Sequence, residues 1–168
     1  GLTGMVENAI DEARQIDLLD NSRFNSLNKA ITPDDHGAVS KLLTLAENAD
    51  DSEFQAVLRR VRSVDADSGC PIVGLTGTGG AGKSSLTDEL MLRIQRDNPG
   101  AKVALLATDP TRKRTGGALL GDRIRMNSLA DDNLFMRSFA SRASGREIAD
   151  CIDRAIEACQ AVGFDLIL

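Results

Sequence analysis

The fold of this chain is decided by residues 77–84, which read Gly-Thr-Gly-Gly-Ala-Gly-Lys-Ser. This octet matches G-x-x-x-x-G-K-[ST], the pattern of a phosphate-binding loop (P-loop). The apolar run 71–76 before it predicts a short buried strand. Residues 83–94 after it carry Leu86, Leu90 and Ile94 at helical spacing. A strand, a glycine loop and a helix therefore follow one another in the order that phosphate binding requires.

Each residue type in the loop has a role in phosphate chemistry. Glycines let the backbone curl so that successive N–H groups face an anion, and the helix start adds partial positive charge. Lys83 is predicted to contact the β- and γ-phosphates as the catalytic residue, and the Ser84 hydroxyl to bind Mg²⁺. The alternative is a glycine-rich turn with a surface lysine. The predicted nucleotide-binding residues of the loop are Gly79, Gly80, Ala81, Gly82, Lys83, Ser84 and Ser85.

The composition argues against several classes of protein. The 168 residues are 42% hydrophobic, enough for a core, and the longest apolar runs have strand length, so we expect no membrane span. The N-terminus lacks the basic and then apolar order of a signal peptide, and we expect a cytoplasmic protein. The net charge of −5 argues against nonspecific nucleic-acid binding. Three cysteines without C-x₂-C spacing are expected to be buried or incidental thiols.

Charge and pattern divide the chain near residue 70. Residues 1–70 carry thirteen acidic and seven basic side chains, whereas residues 71–168 carry twelve and thirteen. We expect a helical linker or N-terminal segment at 1–69 and the P-loop domain at 70–168, with the polar stretch 63–71 joining them.

Three helices are predicted in the first segment. One runs from Val6 to Leu19, the next takes Pro33 as its first helical residue, and the third is capped by Asp51-Ser52. His36, the one histidine, falls in the first turn of the second helix, where a solvated or capping role is expected. It does not match the cobalamin-ligating pattern Asp-x-His-x-x-Gly, because Val39 stands where the glycine is required.

A second apolar strand supplies a candidate metal ligand. It covers residues 102–107 and ends at Thr108-Asp109-Pro110. In an open parallel sheet, ligands collect beyond the carboxyl ends of the strands, so Asp109 is expected on the same side as the P-loop. Its carboxylate either takes a place in the Mg²⁺ shell or caps a turn or helix.

Residues 112–126 add charged side chains to this region. Three basic residues at 112–114, followed by Gly116 and Gly117, are typical of a mobile electropositive loop that closes over a γ-phosphate. Asp122 and Arg125 lie three apart and would share a helix face. Either one reaches the metal and the other a phosphate, or the two form a surface ion pair.

The remaining pattern predicts a helix from Ser144 that ends at Gly163, and then a strand at 164–168. The predicted fold class is therefore α/β: an incomplete P-loop NTPase three-layer domain with a mainly parallel sheet, preceded by a helical segment.

Three stretches together resemble a known family. They are residues 74–85, the Asp109-Pro110-Thr111 triplet, and residues 116–127, which contain the run Gly-Gly-x-Leu-x-Gly-Asp-x-x-Arg-Met. They resemble the MeaB/ArgK family of cobalamin-chaperone G proteins, including the G-protein segment of fused isobutyryl-CoA mutases. The resemblance covers about 71–168 well and 1–70 less distinctively.

This resemblance implies a Mg²⁺-dependent GTPase that gates adenosylcobalamin loading or protection of an acyl-CoA mutase, on a separate or the same chain. It implies GTP or GDP and Mg²⁺ as ligands, adenosylcobalamin only in the partner or fused domain, and a homodimer of the full protein. By resemblance, Ser84, Asp109 and Asp122 belong to the metal site and Arg125 contacts the nucleotide.

Two other functions stay open, a P-loop small-molecule kinase and a non-catalytic interdomain module with a vestigial nucleotide site. The Glu-Thr pair and the guanine-reading Asn-Lys-x-Asp motif of the family do not occur in these residues. We therefore expect a truncated GTPase domain that by itself lacks base selectivity and competent hydrolysis.

Overall fold

A computed structural model of the chain describes residues 4–7, 24, 27–64, 66, 69–78, 80–110, 132–141 and 151–168. The helices are α1 (His36–Asn48), α2 (Asp51–Val61), α3 (Lys83–Asp97) and α4 (Ile152–Val162). The strands are β1 (Val103–Pro110), β2 (Leu134–Ser141) and β3 (Leu166–Ile167). Their order in the sheet is β2-β1-β3, and both pairings are parallel. The α/β class with a parallel sheet is confirmed.

The stretch before the P-loop joins this sheet beside β3. Ile72 forms a parallel bridge with Ile167, and the Val73 N–H donates to the Ile167 carbonyl at 2.9 Å. Pairing was predicted here, but burial was wrong, because Ile72 and Val73 are 51% and 43% exposed. The stretch lies at the edge of the described sheet, where β3 flanks it on one side.

Side chains alternate between the two faces of the sheet. Val103 and Leu105 of β1 pack with Met91 of α3 on one face. Ala104 of β1 and Phe135 of β2 pack on the other face in a larger cluster that includes α4, α1 and α2. Helices therefore cover both faces, which is the predicted three-layer arrangement.

The buried face of α3 is not the one that carries the leucines at helical spacing. Leu86 is 51% exposed, whereas Thr87 and Met91 are buried and Ile94 packs beside them. Both faces satisfy helical spacing, and contact with the sheet selects the one that starts at Thr87.

Helices α1 and α2 exist as predicted, but their N-caps differ. Pro33 lies in a turn, and Asp35 caps α1 by accepting the Ala38 N–H at 2.9 Å. Asp50 caps α2 by accepting the Glu53 N–H at 2.9 Å. In both helices the caps are the aspartates whose side chains reach the backbone N–H three residues ahead.

His36 does not cap α1. Its half-buried ring meets the edge of Phe135 on β2, with the ring centroids 5.6 Å apart. Of the predicted helix at 6–19, only a helical turn at 4–7 falls within the described residues. The division of the chain at residue 70 stays a prediction. Within the described ranges, no helix is long and apolar enough to cross a membrane.

Candidate phosphate-binding site

The P-loop starts at the carboxyl-terminal ends of the strands and leads directly into α3. Ile72 runs parallel to β3, and β3 runs parallel to β1, so the carboxyl ends of all three lie at the same edge. The loop follows Ile72, and Asp109 lies near the end of β1. The parallel topology therefore brings the backbone of Asp109 to the edge that carries the loop, as predicted.

Two glycines give the loop its curvature. Gly80 and Gly82 have φ angles of 79° and 83°, in the left-handed region that other residues avoid. A Cβ atom added at either position would meet nothing within 4 Å, so backbone conformation, not crowding, requires glycine there. The Ala81 N–H donates to the Thr78 carbonyl at 3.2 Å and closes a turn. Gly79 lies outside the described residues.

The Lys83 side chain contacts the backbone at the start of the P-loop. Its Nζ atom donates to the carbonyl oxygens of Gly77 at 2.5 Å and Thr78 at 2.9 Å. An ammonium group has three N–H donors. Two of them hold the loop closed, and the third has no acceptor among the described residues. The positive charge is thereby held at the loop, where a phosphate oxygen can accept the third donor.

The first backbone N–H groups of α3 have no acceptor within the helix. Gly82 is the N-cap and supplies no side-chain cap, and the first turn contains no acidic residue. The first intrahelical bond runs from the Leu86 N–H to the Gly82 carbonyl at 2.9 Å. The N–H groups of Lys83, Ser84 and Ser85 precede that bond, so helix geometry leaves them for an external acceptor. Together with the helix dipole, they favour an anion at this point.

The candidate metal ligands are only partly described. Ser84 is half-buried in the first turn of α3, and the backbone of Asp109 pairs in register with Ala140. The Asp109 side chain, Asp122 and Arg125 lie outside what the structure describes. Among the described residues there is no cluster of three or more His, Cys, Asp or Glu side chains suited to a metal. A hydroxyl and one or two carboxylates fit Mg²⁺, which keeps several of its waters.

Thr87 belongs to this region, although the sequence motif did not indicate it. Its side chain is buried, and its hydroxyl donates to the Lys83 carbonyl at 2.9 Å. The bond ties the first turn of α3 to the helix face that packs on the sheet. The available signal was the i, i+4 spacing of Thr87 and Met91.

The cysteines take no part in this site. Cys70, Cys151 and Cys159 are free thiols and all are buried, as expected. Burial, and to a smaller degree the charge of Cys70, raises the pKa of Cys159 to about 12. A thiol with this pKa is protonated at neutral pH and is a poor nucleophile or metal ligand.

Comparison with known proteins identifies the family. The family model described as methylmalonyl-CoA mutase-associated GTPase MeaB matches residues 39–168. A fused isobutyryl-CoA mutase of Cupriavidus metallidurans is 42% identical over 171 residues, which cover 100% of this chain and 15% of the relative. Its counterpart in Geobacillus kaustophilus is 45% identical over 138 residues, which cover 78% and 12%.

Shorter relatives and a solved structure agree with this family. A protein of Pyrococcus horikoshii named as a GTPase is 42% identical over 134 residues, which cover 79% of this chain and 41% of the relative. The crystal structure of an LAO/AO transport system kinase has the same fold, with a TM-score of 0.54 at 20% identity over 88% of this chain and 41% of that one. The chain thus spans less than half the length of each of these proteins. Because the family model matches most of its residues, the chain belongs to the methylmalonyl-CoA mutase-associated GTPase family MeaB.

Proposed function

We propose that this chain is the phosphate-binding part of a Mg²⁺-dependent GTPase that gates adenosylcobalamin loading or protection of an acyl-CoA mutase. The observation that carries the proposal is the geometry of the P-loop. Two left-handed glycines, the Lys83 ammonium and the open start of α3 converge at one edge of a parallel sheet. This arrangement supplies backbone donors and one positive charge to a chain of phosphates.

Hydrolysis by such a site depends on positioning and charge stabilisation. The backbone N–H groups at the start of α3 hold the phosphates, and Lys83 neutralises the β- and γ-phosphate oxygens while water attacks in line. When bound, Mg²⁺ would supply further positive charge to stabilise the phosphates. Ser84 would hold the ion, with Asp109 and Asp122 as further ligands, and Arg125 would contact the nucleotide. Guanine as the base follows from membership of the family.

The partner in this proposal is an adenosylcobalamin-dependent acyl-CoA mutase. Relatives named fused isobutyryl-CoA mutase match this chain over its full length, which supports a mutase on the same polypeptide. The cobalamin would be bound by that partner or fused domain, since the described residues carry no histidine in the cobalamin-ligating pattern. A homodimer and a cytoplasmic location are also part of the proposal.

A small-molecule kinase is the second candidate function. The solved neighbour carries the name of a transport system kinase, but at 20% identity it shows the fold alone. A non-catalytic module would keep the same fold and lose turnover. No described contact favours either alternative over a GTPase.

The test measures phosphate release from GTP and ATP by the full-length protein, with Mg²⁺ and with a chelator. It then measures transfer of adenosylcobalamin to the mutase by its absorbance change, with GTP and with a non-hydrolysable analogue. The proposal expects Mg²⁺-dependent GTP hydrolysis and a transfer that changes with the nucleotide. Phosphate transfer from ATP to a small molecule would support the kinase. Nucleotide-independent transfer would contradict the gating role.

A further inference from the structure

Helices α1 and α2 supply none of the predicted nucleotide-binding residues, yet they share a core with the sheet. We propose that α1, α2 and the P-loop fold are one cooperative unit, with Arg154 and Arg137 as positioning residues, so that nucleotide at the loop stabilises both helices. The part of this proposal that concerns nucleotide rests on the proposed function. The cooperative unit itself rests on the contacts described next.

Apolar packing joins α1 and α2 to the sheet. Leu42 and Leu43 of α1 and Phe54 of α2 are fully buried. They lie in one continuous cluster with Ala104 of β1 and Ile167 of β3. Helix α1 therefore belongs to the helical layer on this face of the sheet. Removing it would expose the Phe135 and Phe139 side of β2.

Arg154 joins three helices. It projects from α4, and its Nη1 atom donates to the Ala49 carbonyl at 2.8 Å, at the C-terminal end of α1. Its guanidinium carbon lies 5.8 Å from the ring centroid of Phe54 on α2. The carbonyl at a helix C-terminus carries partial negative charge, so this contact is charge-assisted. One side chain thus holds the junction of α1 and α2 on α4.

Arg137 joins α1 to the sheet. Its Nη2 atom on β2 lies 3.2 Å from the Glu47 carboxylate of α1, and the two side chains are only 29% and 17% exposed. Its guanidinium carbon lies 5.8 Å from the ring centroid of Phe139. Breaking a half-buried ion pair costs more than breaking an exposed one, because its charges are partly shielded from water. The geometry of α1 on β2 therefore depends on this contact.

The segment that leads from α2 to the P-loop is also attached to the fold. The Ser63 N–H donates to the Ala161 carbonyl of α4 at 2.8 Å. The start of α1 is attached as well. At the amino-terminal ends of β1 and β2, Lys102 donates to Asn133 Oδ1 at 2.6 Å and also pairs with Asp34, which lies just before α1. Helices held at both ends and through their core are expected to unfold together with the sheet.

Hydrogen exchange with mass spectrometry tests this on the full-length protein. A ligand that binds only the folded state, at a free concentration of about 100 times its Kd, slows exchange through global unfolding by about 100-fold. We expect GTP at that concentration to slow the core amides of α1, such as Leu42 and Leu43, by the same factor as those of α4. Slowing in α3 and α4 with no change in α1 would overturn the inference. No slowing anywhere would contradict the proposed function instead.

A denaturant series without nucleotide decides the cooperative unit by itself. Arg154→Ala is expected to lower the urea midpoint by roughly 1 M, equally for the amides of α1 and of the sheet. Arg154→Lys keeps the charge and is expected to restore part of this shift. The matched control is Arg93→Ala, which breaks the 2.7 Å Glu89 pair on α3, where both side chains are more than half exposed, and is expected to move the midpoint little. If α1 loses protection at lower urea than the sheet in the parent protein or in Arg154→Ala, the helices are a separate unit and the inference is wrong.

Discussion

Replacing Lys83 with Met tests the phosphate-binding role most directly. Methionine keeps an unbranched side chain of similar reach but removes the ammonium group. That group donates to two loop carbonyls, at 2.5 and 2.9 Å, and its third donor is the one proposed to bind phosphate. The variant therefore loses the contact with phosphate and the bonds that hold the loop closed.

The size of the effect follows from the kind of bond that is lost. A hydrogen bond to a charged group contributes about 1.5–3 kcal/mol. At 1.4 kcal/mol for each factor of ten, the Kd for GTP should rise by about 10- to 150-fold. Folding stability should change by less than about 1 kcal/mol, because both carbonyl contacts are exposed. Turnover at saturating GTP should fall as well, since the proposed role of Lys83 is to neutralise charge that develops on the phosphates.

The assay is titration of a fluorescent GTP analogue, together with urea unfolding of the same samples. The matched control is Lys102→Met, which removes the bonds to Asp34 and Asn133. These bonds lie at the amino-terminal ends of β1 and β2, at the opposite end of the strands from the P-loop. This control should lower stability and leave nucleotide affinity within about twofold, a change below 0.5 kcal/mol. Unchanged GTP affinity and unchanged turnover in Lys83→Met would refute the reasoning.

Gly82→Ala should lower the free energy of unfolding by roughly 1–2 kcal/mol, because alanine disfavours the left-handed φ of 83°. The control is Gly74→Ala, where an added Cβ meets no atom within 4 Å and φ is not positive. In urea unfolding, this control should leave stability unchanged. Asp122→Ala should reduce Mg²⁺-dependent turnover more than binding of Mg²⁺-free nucleotide, and a Mg²⁺ titration that overlays the parent would leave it as the ion-pair partner of Arg125. Native Cys159 should resist alkylation that proceeds in urea. Since its folded pKa of about 12 lies above the ordinary 9.0, its contribution to stability is complete below pH 9 and is lost as the pH rises toward 12.

The P-loop was predictable because its interactions are local. Lys83 reaches Gly77 and Thr78, only six and five residues earlier, and the left-handed glycines act on their own backbone. The spacing of the motif therefore encodes the geometry. The start of α3 follows from the same eight residues, since Gly82 is its N-cap.

The buried face of α3 could not be predicted in the same way. Leu86, Leu90 and Ile94 give an apolar stripe, but the residues buried on α3 are Thr87 and Met91, with Ile94 packed beside Met91. Helical periodicity alone cannot decide between two helix faces that are offset by one position along the sequence. The choice depends on Val103 and Leu105, which come later in the chain. The exposure of the Ile72 side chain also could not be predicted locally, because it depends on which strands lie beside residue 72 in the sheet.

The amino-acid order alone encodes the phosphate-binding chemistry, the α/β class and the family of this chain. Each of these rests on patterns within short stretches of consecutive residues, such as 77–84 for the P-loop. Tertiary structure sets the sheet order β2-β1-β3 and the place of α1 and α2 on α4. It also pairs Gln55 with Glu157, 102 residues apart, and Arg154 with Ala49, 105 apart. Such contacts form only when many weak apolar interactions close long loops together, so no local pattern in the sequence specifies them.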